Sequence, residues 1–360
     1  MEEKSMVVNR LPMKTWNRLN INHKNVTLTN IVKEGPSDTT VSGAFSYRVA
    51  DSAFDQIETG MGPDMDRFVS ENAPEAPAMY VVTPGTKENF VTVTIDYDKM
   101  PELPDGSYMN IYRFFVGAGS ELSILLDIRG TKPVTGIVDV KILAQEHAKV
   151  TLVESKRLSD QVRYLGNTGT DFGAHADCEL VHVAFSGKNV YEGATTRLTG
   201  EKSTARYDIG YVSSADGDID QNYLIRFVGK ETVGDIISNG VLCGTSRKAF
   251  RGTIDFIRGC VGAAGSEKED VLLMDDTVVN LTSPLILCGE EDVEGEHGAT
   301  LGRLAEDVLF YLEARGIAKE DAYKMVADGR MASVIRRIPQ GALRSELLSL
   351  VSEEEISVEA

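Results

Sequence analysis

Residues 120–127 read SELSILLD, and the same texture returns as AKVTLVES from Ala148, ADCELVHV from Ala176 and STARYDIG from Ser203. Each run opens on a small residue and then alternates polar and apolar positions, the period-two pattern of a strand. The starts lie 28, 28 and 27 residues apart. Short strands at a fixed period, with no helix between them, fit the stacked coils of a solenoid, where each coil buries its faces against the next. A β-sandwich also yields short alternating strands, and periodicity alone leaves both architectures open. TVGDIISNGV from Thr232 and AFRGTIDFI from Ala249 continue the texture less regularly. From about 111 to 290, Gly, Asp, Asn and Lys turns separate the runs and no amphipathic helix interrupts them.

Outward from this body the periods change. Residues 1–110 are mixed: a polar start with Trp16 in LPMKTWNRLN, a candidate helix in AFDQIETGMGPDMDRFVSENA (53–73), and a strand in NFVTVTIDYD (89–98). Beyond His297 the spacing becomes helical, with Leu301, Leu304, Val308, Tyr311 and Arg315 three or four residues apart. Gly316 fits a helix stop. AKEDAYKMVADG and RMASVIRRIP follow as two short helices, broken at Gly329 and Pro339, and QGALRSELLSLVSEEEISVEA reads as a further helix fading into an acidic tail. The expected organisation is a mixed region over 1–110, a β core over 111–296 and a helical C-terminal domain over 297–360.

Bulk properties exclude several function classes. A hydrophobic fraction of 42% is that of a globular protein. The net charge of −18, from 37 basic and 55 acidic residues, argues against nucleic acid and anionic membranes as partners. No apolar run approaches the roughly 18 to 20 residues that cross a bilayer, and MEEKSMVVNRLPMKTW lacks the apolar core of a signal peptide. Cys178, Cys243, Cys260 and Cys288 are widely spaced with no CxxC, which suggests reduced, mostly buried thiols and a cytoplasmic protein.

Catalytic signatures are missing. There is no GxxxxGK[ST] phosphate loop, since Gly229-Lys230 is followed by Glu231, and no GxSxG elbow. GNTGTDFGA (166–174) reads as a turn. Cys178 and His182 share a strand face but lie roughly 13 Å apart at about 3.3 Å per residue, too far for one zinc. They read as a core thiol and a buried, hydrogen-bonded histidine, and His147 and His175 as coil-opening residues. In GEEDVEGEHGATLGRL (289–304), five acids approach His297. That stretch is either a solvated acidic turn before a helix or a segment offering the nitrogen of His297 and the oxygens of Glu296 to a metal such as iron or zinc, with further ligands from elsewhere.

GEEDVEGEHGATLGRLAEDVLFYLEARGI (289–317) closely resembles the C-terminal signature of the SufB/SufD family, scaffold subunits of SUF iron–sulfur cluster assembly. ISNGVLCGTSRKAFRGTIDFI (236–257) and LPMKTWNRL extend the resemblance more weakly. It implies a right-handed parallel β-helix core with small helical N-terminal elements and a helical C-terminal domain. It implies pairing with a SufB-like chain, or a second copy, and docking of a SufC-type ABC ATPase, so that ATP acts only through that partner. SufB-like chains carry a Cys-Thr-Ala-Pro run where Gly130-Thr131-Lys132-Pro133 stands here, an interface cysteine near position 269, here Glu269, and Glu-His-Glu where this chain has Glu296-His297-Gly298. The chain is therefore more SufD-like, and shorter than its family. His297 is identified with the SufD histidine that faces the nascent cluster, a transient cargo shared with the partner.

The expected function is a non-enzymatic scaffold with His297, and Glu296 beside it, at the assembly interface. Arg303, Phe310, Tyr311 and Arg315 are the candidates for ATPase docking, because aromatic residues and Arg concentrate at interface hot spots. Phe310 and Tyr311 equally fit the helical domain's own core. The alternatives are a purely structural subunit that never touches the cluster, and a β-helix enzyme acting on polysaccharide, for which no acid–base pair of carboxylates stands out.

Overall fold

The computed structural model describes residues 3–46, 49–185, 189–213 and 215–353. The N-terminal region contributes β1 (Glu3–Val8), β2 (Lys24–Thr29), β3 (Val32–Glu34), β4 (Asp38–Ser42), α1 (Pro63–Asn72), β5 (Ala78–Val82) and β6 (Asn89–Asp96). The body follows as β7 (Ser107–Val116), β8 (Glu121–Gly130), β9 (Val134–Ala144), β10 (Lys149–Leu158), β11 (Val162–Phe172), β12 (Asp177–Phe185) and β13 (Asn189–Leu198). It continues with β14 (Thr204–Ser213), β15 (Asp218–Phe227), β16 (Val233–Leu242), β17 (Arg247–Phe256), β18 (Ala263–Leu273), β19 (Val279–Cys288) and β20 (Val293–Gly302).

Consecutive strands of the body lie in different sheets. The even-numbered strands run β20-β18-β16-β14-β12-β10-β8-β6-β4, and the odd-numbered ones β19-β17-β15-β13-β11-β9-β7-β3. From β6 upward the pairings are parallel, each strand beside the strand one repeat earlier. This is a parallel β-solenoid of about seven turns, and the parallel pairing settles the choice against a sandwich. The four runs that announced the repeat are β8, β10, β12 and β14.

The corner before each even strand explains why the runs open on a small residue. Gly119, His147, His175, Lys202, Glu231 and Gly262 all take a left-handed conformation, with φ between 53 and 76°. The N–H of each reaches the carbonyl of the coil above, as in His147 N–H to Ala174 O at 2.8 Å and His175 N–H to Glu201 O at 2.8 Å. The residue that follows, Ser120, Ala148, Ala176, Ser203, Thr232 or Ala263, is buried in the stack, where a larger side chain would strike its neighbours. His147 and His175 are corner residues as expected, with rings stacked 4.8 Å apart.

Inward positions form one continuous core, including Leu126, Ile128, Leu152, Leu180, Tyr207, Ile236 and Phe250; each such side chain contributes about 1.5–3 kcal/mol by leaving water. The outer faces are also covered. On the odd sheet, β1, β2 and α1 pack over Met109, Ile111, Ile137, Leu165 and Tyr191. There Gly60 meets Gly193 so closely that a Cβ on Gly60 would lie 2.0 Å from the Gly193 carbonyl carbon. Arg251 is sealed beneath, donating to Asp220 Oδ1 at 2.7 Å.

Three helices follow β20, α2 (Glu306–Glu313), α3 (Lys319–Ile335) and α4 (Ala342–Glu353), and α3 and α4 cover the even sheet. Ala327, Met331, Val334 and Ile335 of α3 and Leu347 of α4 share a cluster with the outward residues Val153, Val183, Val241 and Leu272. Two sequence readings need correction. Gly329 does not break the helix: α3 runs through it, and a Cβ there would meet nothing within 4 Å. The helical stripe does not start at Leu301, which ends a strand; of its members only Val308 and Tyr311 lie in α2. Gly316, with φ of +84°, does terminate α2. The acidic tail at 354–360 lies outside the described residues.

Candidate functional site at the open end of the solenoid

The acidic stretch leads into a strand. Glu290 Oε2 accepts the N–H of Gly259 at 2.8 Å and Gly262 N–H reaches Asp292 O at 2.7 Å, so residues 290–292 close the preceding corner. β20 follows with His297 at its middle. Among the described residues it pairs only with β18, so one of its edges carries backbone N–H and C=O groups that none of them pairs. EGEHGATLG is poor in β-branched residues, so its own propensity does not announce a strand; pairing to β18 makes it one.

Register decides where the two candidate ligands point. His297 pairs with Glu267 and Glu296 with Ser266. Paired residues in parallel strands share a face, so His297 continues the inward column Leu152, Leu180, Tyr207, Ile236, Glu267. Glu296 continues the outward column of Asp235 and Ser266. Both are exposed, since no coil of the described residues stacks on β20. Adjacent strand residues leave on opposite faces, so the imidazole and this carboxylate do not converge.

Beneath His297 lies a charged layer that the sequence reading did not single out. Glu269, at the position matched to the SufB-like cysteine, faces inward and is bonded by the Lys248 ammonium, by Thr282 Oγ1 at 2.7 Å and by Tyr211 Oη at 3.4 Å. Glu267 is 1% exposed, yet neither of its carboxylate oxygens has a partner. Burial, reinforced by Glu269 and opposed by Lys248, pushes its carboxyl from 4.5 up to about 8. The available signal was SEKEDVLL (266–273), where acids occupy the inward phase of the alternation.

The docking candidates gather near α2, which buries none of its residues. Phe310 is 73% and Tyr311 54% exposed, which removes the reading that they fill a helical core. The Arg315 guanidinium lies 3.9 Å from the Tyr311 ring centre. Arg303 pairs with Asp276 at 2.9 Å and tethers the link between β20 and α2. Deeper in the solenoid, Cys178 and His182 are buried as expected. Burial pushes the Cys178 thiol up to about 12, and His182 Nδ1 lies 3.0 Å from Tyr223 Oη. Cys178, Cys243 and Cys260 are buried and Cys288 is exposed, all four free. Among the described residues no helix is long and apolar enough to cross a membrane.

Residues 108–330 match the family model described as SUF system FeS cluster assembly, SufBD core domain. The chain belongs to that family. It is 25% identical over 217 residues to the iron–sulfur cluster assembly protein SufD of Bacillus subtilis, covering 59% of this chain and 49% of that protein. It is 30% identical over 158 residues to a SufBD family protein of Synechocystis, covering 43% and 33%. A SufBD family protein of Mycobacterium tuberculosis is 26% identical over 200 residues, covering 56% and 24%. The chain thus spans about half or less of the length of these relatives. The SufD match agrees with the SufD-like form Glu296-His297-Gly298.

Proposed function

We propose that this chain is a non-enzymatic, cytoplasmic scaffold subunit of iron–sulfur cluster assembly, in which His297 offers an imidazole to the nascent cluster at the seam with a second scaffold chain. The observation that carries this reading is the position of His297: exposed, on the inward phase of the last strand, with no described residue stacked above it as a further coil. The unpaired edge of β20 is a template for strand addition, which supports a partner at this end. Residues 290–296 carry five carboxylates, Glu290, Glu291, Asp292, Glu294 and Glu296. A second copy would set these acids against one another, so a SufB-like chain, adding thiolates to the single exposed Cys288 at the end of β19, is the better partner. Glu296, on the outer face, then belongs to that acidic rim and not to the imidazole's own ligand set.

Docking of a SufC-type ATPase is assigned to α2 and its link, through Arg303, Phe310, Tyr311 and Arg315. Unburied aromatic rings beside a stacked guanidinium support it. ATP would act on the scaffold only through that partner.

The test is cluster formation by the reconstituted complex of this chain, the SufB-like chain and the ATPase. His297→Ala should lower the rate of cluster formation while the complex stays assembled. An unchanged rate would remove the ligand role and leave a structural subunit that balances ATPase docking.

A further inference from the structure

One layer of the solenoid interior takes no part in the function above. Glu154 of β10 and His182 of β12 stand in register on adjacent strands, Glu192 faces them from β13, and Lys156 follows two residues after Glu154. None of the four is more than 2% exposed. The Lys156 ammonium bonds Glu192 and lies 3.5 Å from Glu154 Oε2.

The hydrogen bonds assign the protons. Tyr223 Oη lies 2.8 Å from Glu192 Oε1 and 3.0 Å from His182 Nδ1. An ionised carboxylate only accepts, so the single Tyr223 proton goes to Glu192, and its oxygen accepts from His182 Nδ1–H. The imidazole lone pair is then on Nε2. That nitrogen faces Glu154 Oε2 at 3.4 Å, and neither atom has a hydrogen-bond partner. Glu154 Oε1 is already occupied by the Thr168 hydroxyl at 3.1 Å. Two electron-pair donors facing each other in a buried interior need a positive charge between them.

A proton or a metal ion supplies that charge, and the geometry separates the two. A proton on Nε2 would form a charge-assisted hydrogen bond of about 2.7–2.9 Å, shorter than the 3.4 Å that separates Nε2 from Glu154 Oε2. Two metal bonds of about 2.0–2.2 Å at a tetrahedral angle hold their ligand atoms roughly 3.3–3.6 Å apart, which brackets the observed separation. The ligand atoms of Glu154, His182 and Glu192 all lie within 4.8 Å of one another. Neighbouring strands thus bring to His182 what Cys178, four residues away along its own strand, cannot.

We propose that Glu154, His182 and Glu192 form a closed site for one divalent transition-metal ion, inside the solenoid and independent of His297. One imidazole and two carboxylates suit zinc, ferrous iron or manganese. With the imidazole and Lys156 both protonated, the two carboxylates are balanced; a divalent ion replaces two protons, one from the imidazolium and one from the ammonium, and the layer stays neutral. The site is sealed, so the ion enters as the chain folds.

The test expresses the full chain in defined medium with cobalt(II) as the only added transition metal, followed by washing with EDTA. The wild-type chain should keep about one cobalt, and His182→Gln and Glu154→Gln should keep about ten-fold less or lower still. His297→Ala should keep the wild-type amount. Cobalt-loaded wild-type protein should also show a strongly shifted, slowly exchanging imidazole N–H resonance from the buried Nδ1–H, a readout that needs no variant. A wild-type chain that keeps no cobalt, folded variants that keep it all, or loaded protein without the shifted resonance would each overturn the proposal.

Discussion

Two layers of the solenoid carry the same set of side chains, two Glu, one Lys and one His, and treat them differently. The middle layer holds Glu154, Glu192, Lys156 and His182, and the last holds Glu267, Glu269, Lys248 and, on the terminal strand, His297. In the middle, coils close over the group on both sides and the imidazole is 2% exposed. At the end no further coil follows among the described residues, the imidazole is exposed, and among those residues Glu267 below it has no hydrogen-bond partner for either oxygen. Buried charge is tolerable only when answered by a neighbour. The middle layer therefore contributes to the fold's own stability, whereas the last is incomplete by itself, as a surface that meets another molecule should be.

The largest effect should come from breaking the answered part of the last layer. Lys248→Met leaves Glu269 buried beside Glu267 with no ammonium, and should cost about 3–5 kcal/mol in urea unfolding. A loss as small as that of a surface substitution would mean that water already reaches this layer and that the two layers differ less than drawn here.

A second effect separates the layers by sign. In the metal-free chain, burial opposes ionisation of Glu154, but the charges of His182 and Lys156 outweigh it and hold the carboxyl at about 2. Its contribution to stability is full above 4.5 and is lost as pH falls toward 2. Glu267 shifts the other way, to about 8. Its neutral form is favoured by the fold, so its contribution is full below 4.5 and is lost as pH rises to about 8, with a slope of up to about 1.4 kcal/mol per pH unit. Glu267→Gln should flatten stability between pH 5 and 8, measured by urea midpoints across that range. A wild-type midpoint that rises over this range for reasons traced to Glu267 would reverse the assignment.

The smallest effect on stability should fall on α2. Phe310→Ala with Tyr311→Ala should change unfolding by no more than about 0.5 kcal/mol each, as exposed positions do, while co-purification with the ATPase is lost. This pair tests docking more cleanly than removing residues 301–360, because α3 and α4 cover the outer face of the even sheet and their deletion would expose Val153, Val183, Val241 and Leu272.

Much of the fold was legible because the solenoid repeats its constraints. The corner needs a small buried residue at Ser120, Ala148, Ala176 and Ser203, and alternation does the rest. The site was legible in part. His297 stood out from its acidic surroundings, but Leu301 and Leu304 fell by chance on a helical spacing with Val308 and Tyr311, although one ends a strand and the other lies in a link. The interior charges lie on the apolar phase of their own strands, Glu154 and Lys156 with Val150 and Leu152, and Glu192 with Val190; in the sequence they look like breaks in the alternation, and only the stacked coils show that charges on neighbouring strands meet there. Which outer faces are covered depends on how the termini fold back, which no local pattern records.

The most direct test of the open-end account is amide hydrogen exchange of this chain alone and in complex with the SufB-like chain. Residues 293–302 should exchange quickly in the free chain and become the most strongly protected segment in the complex. Unchanged exchange there, with protection appearing instead over the N-terminal covering of the odd sheet, would contradict the account.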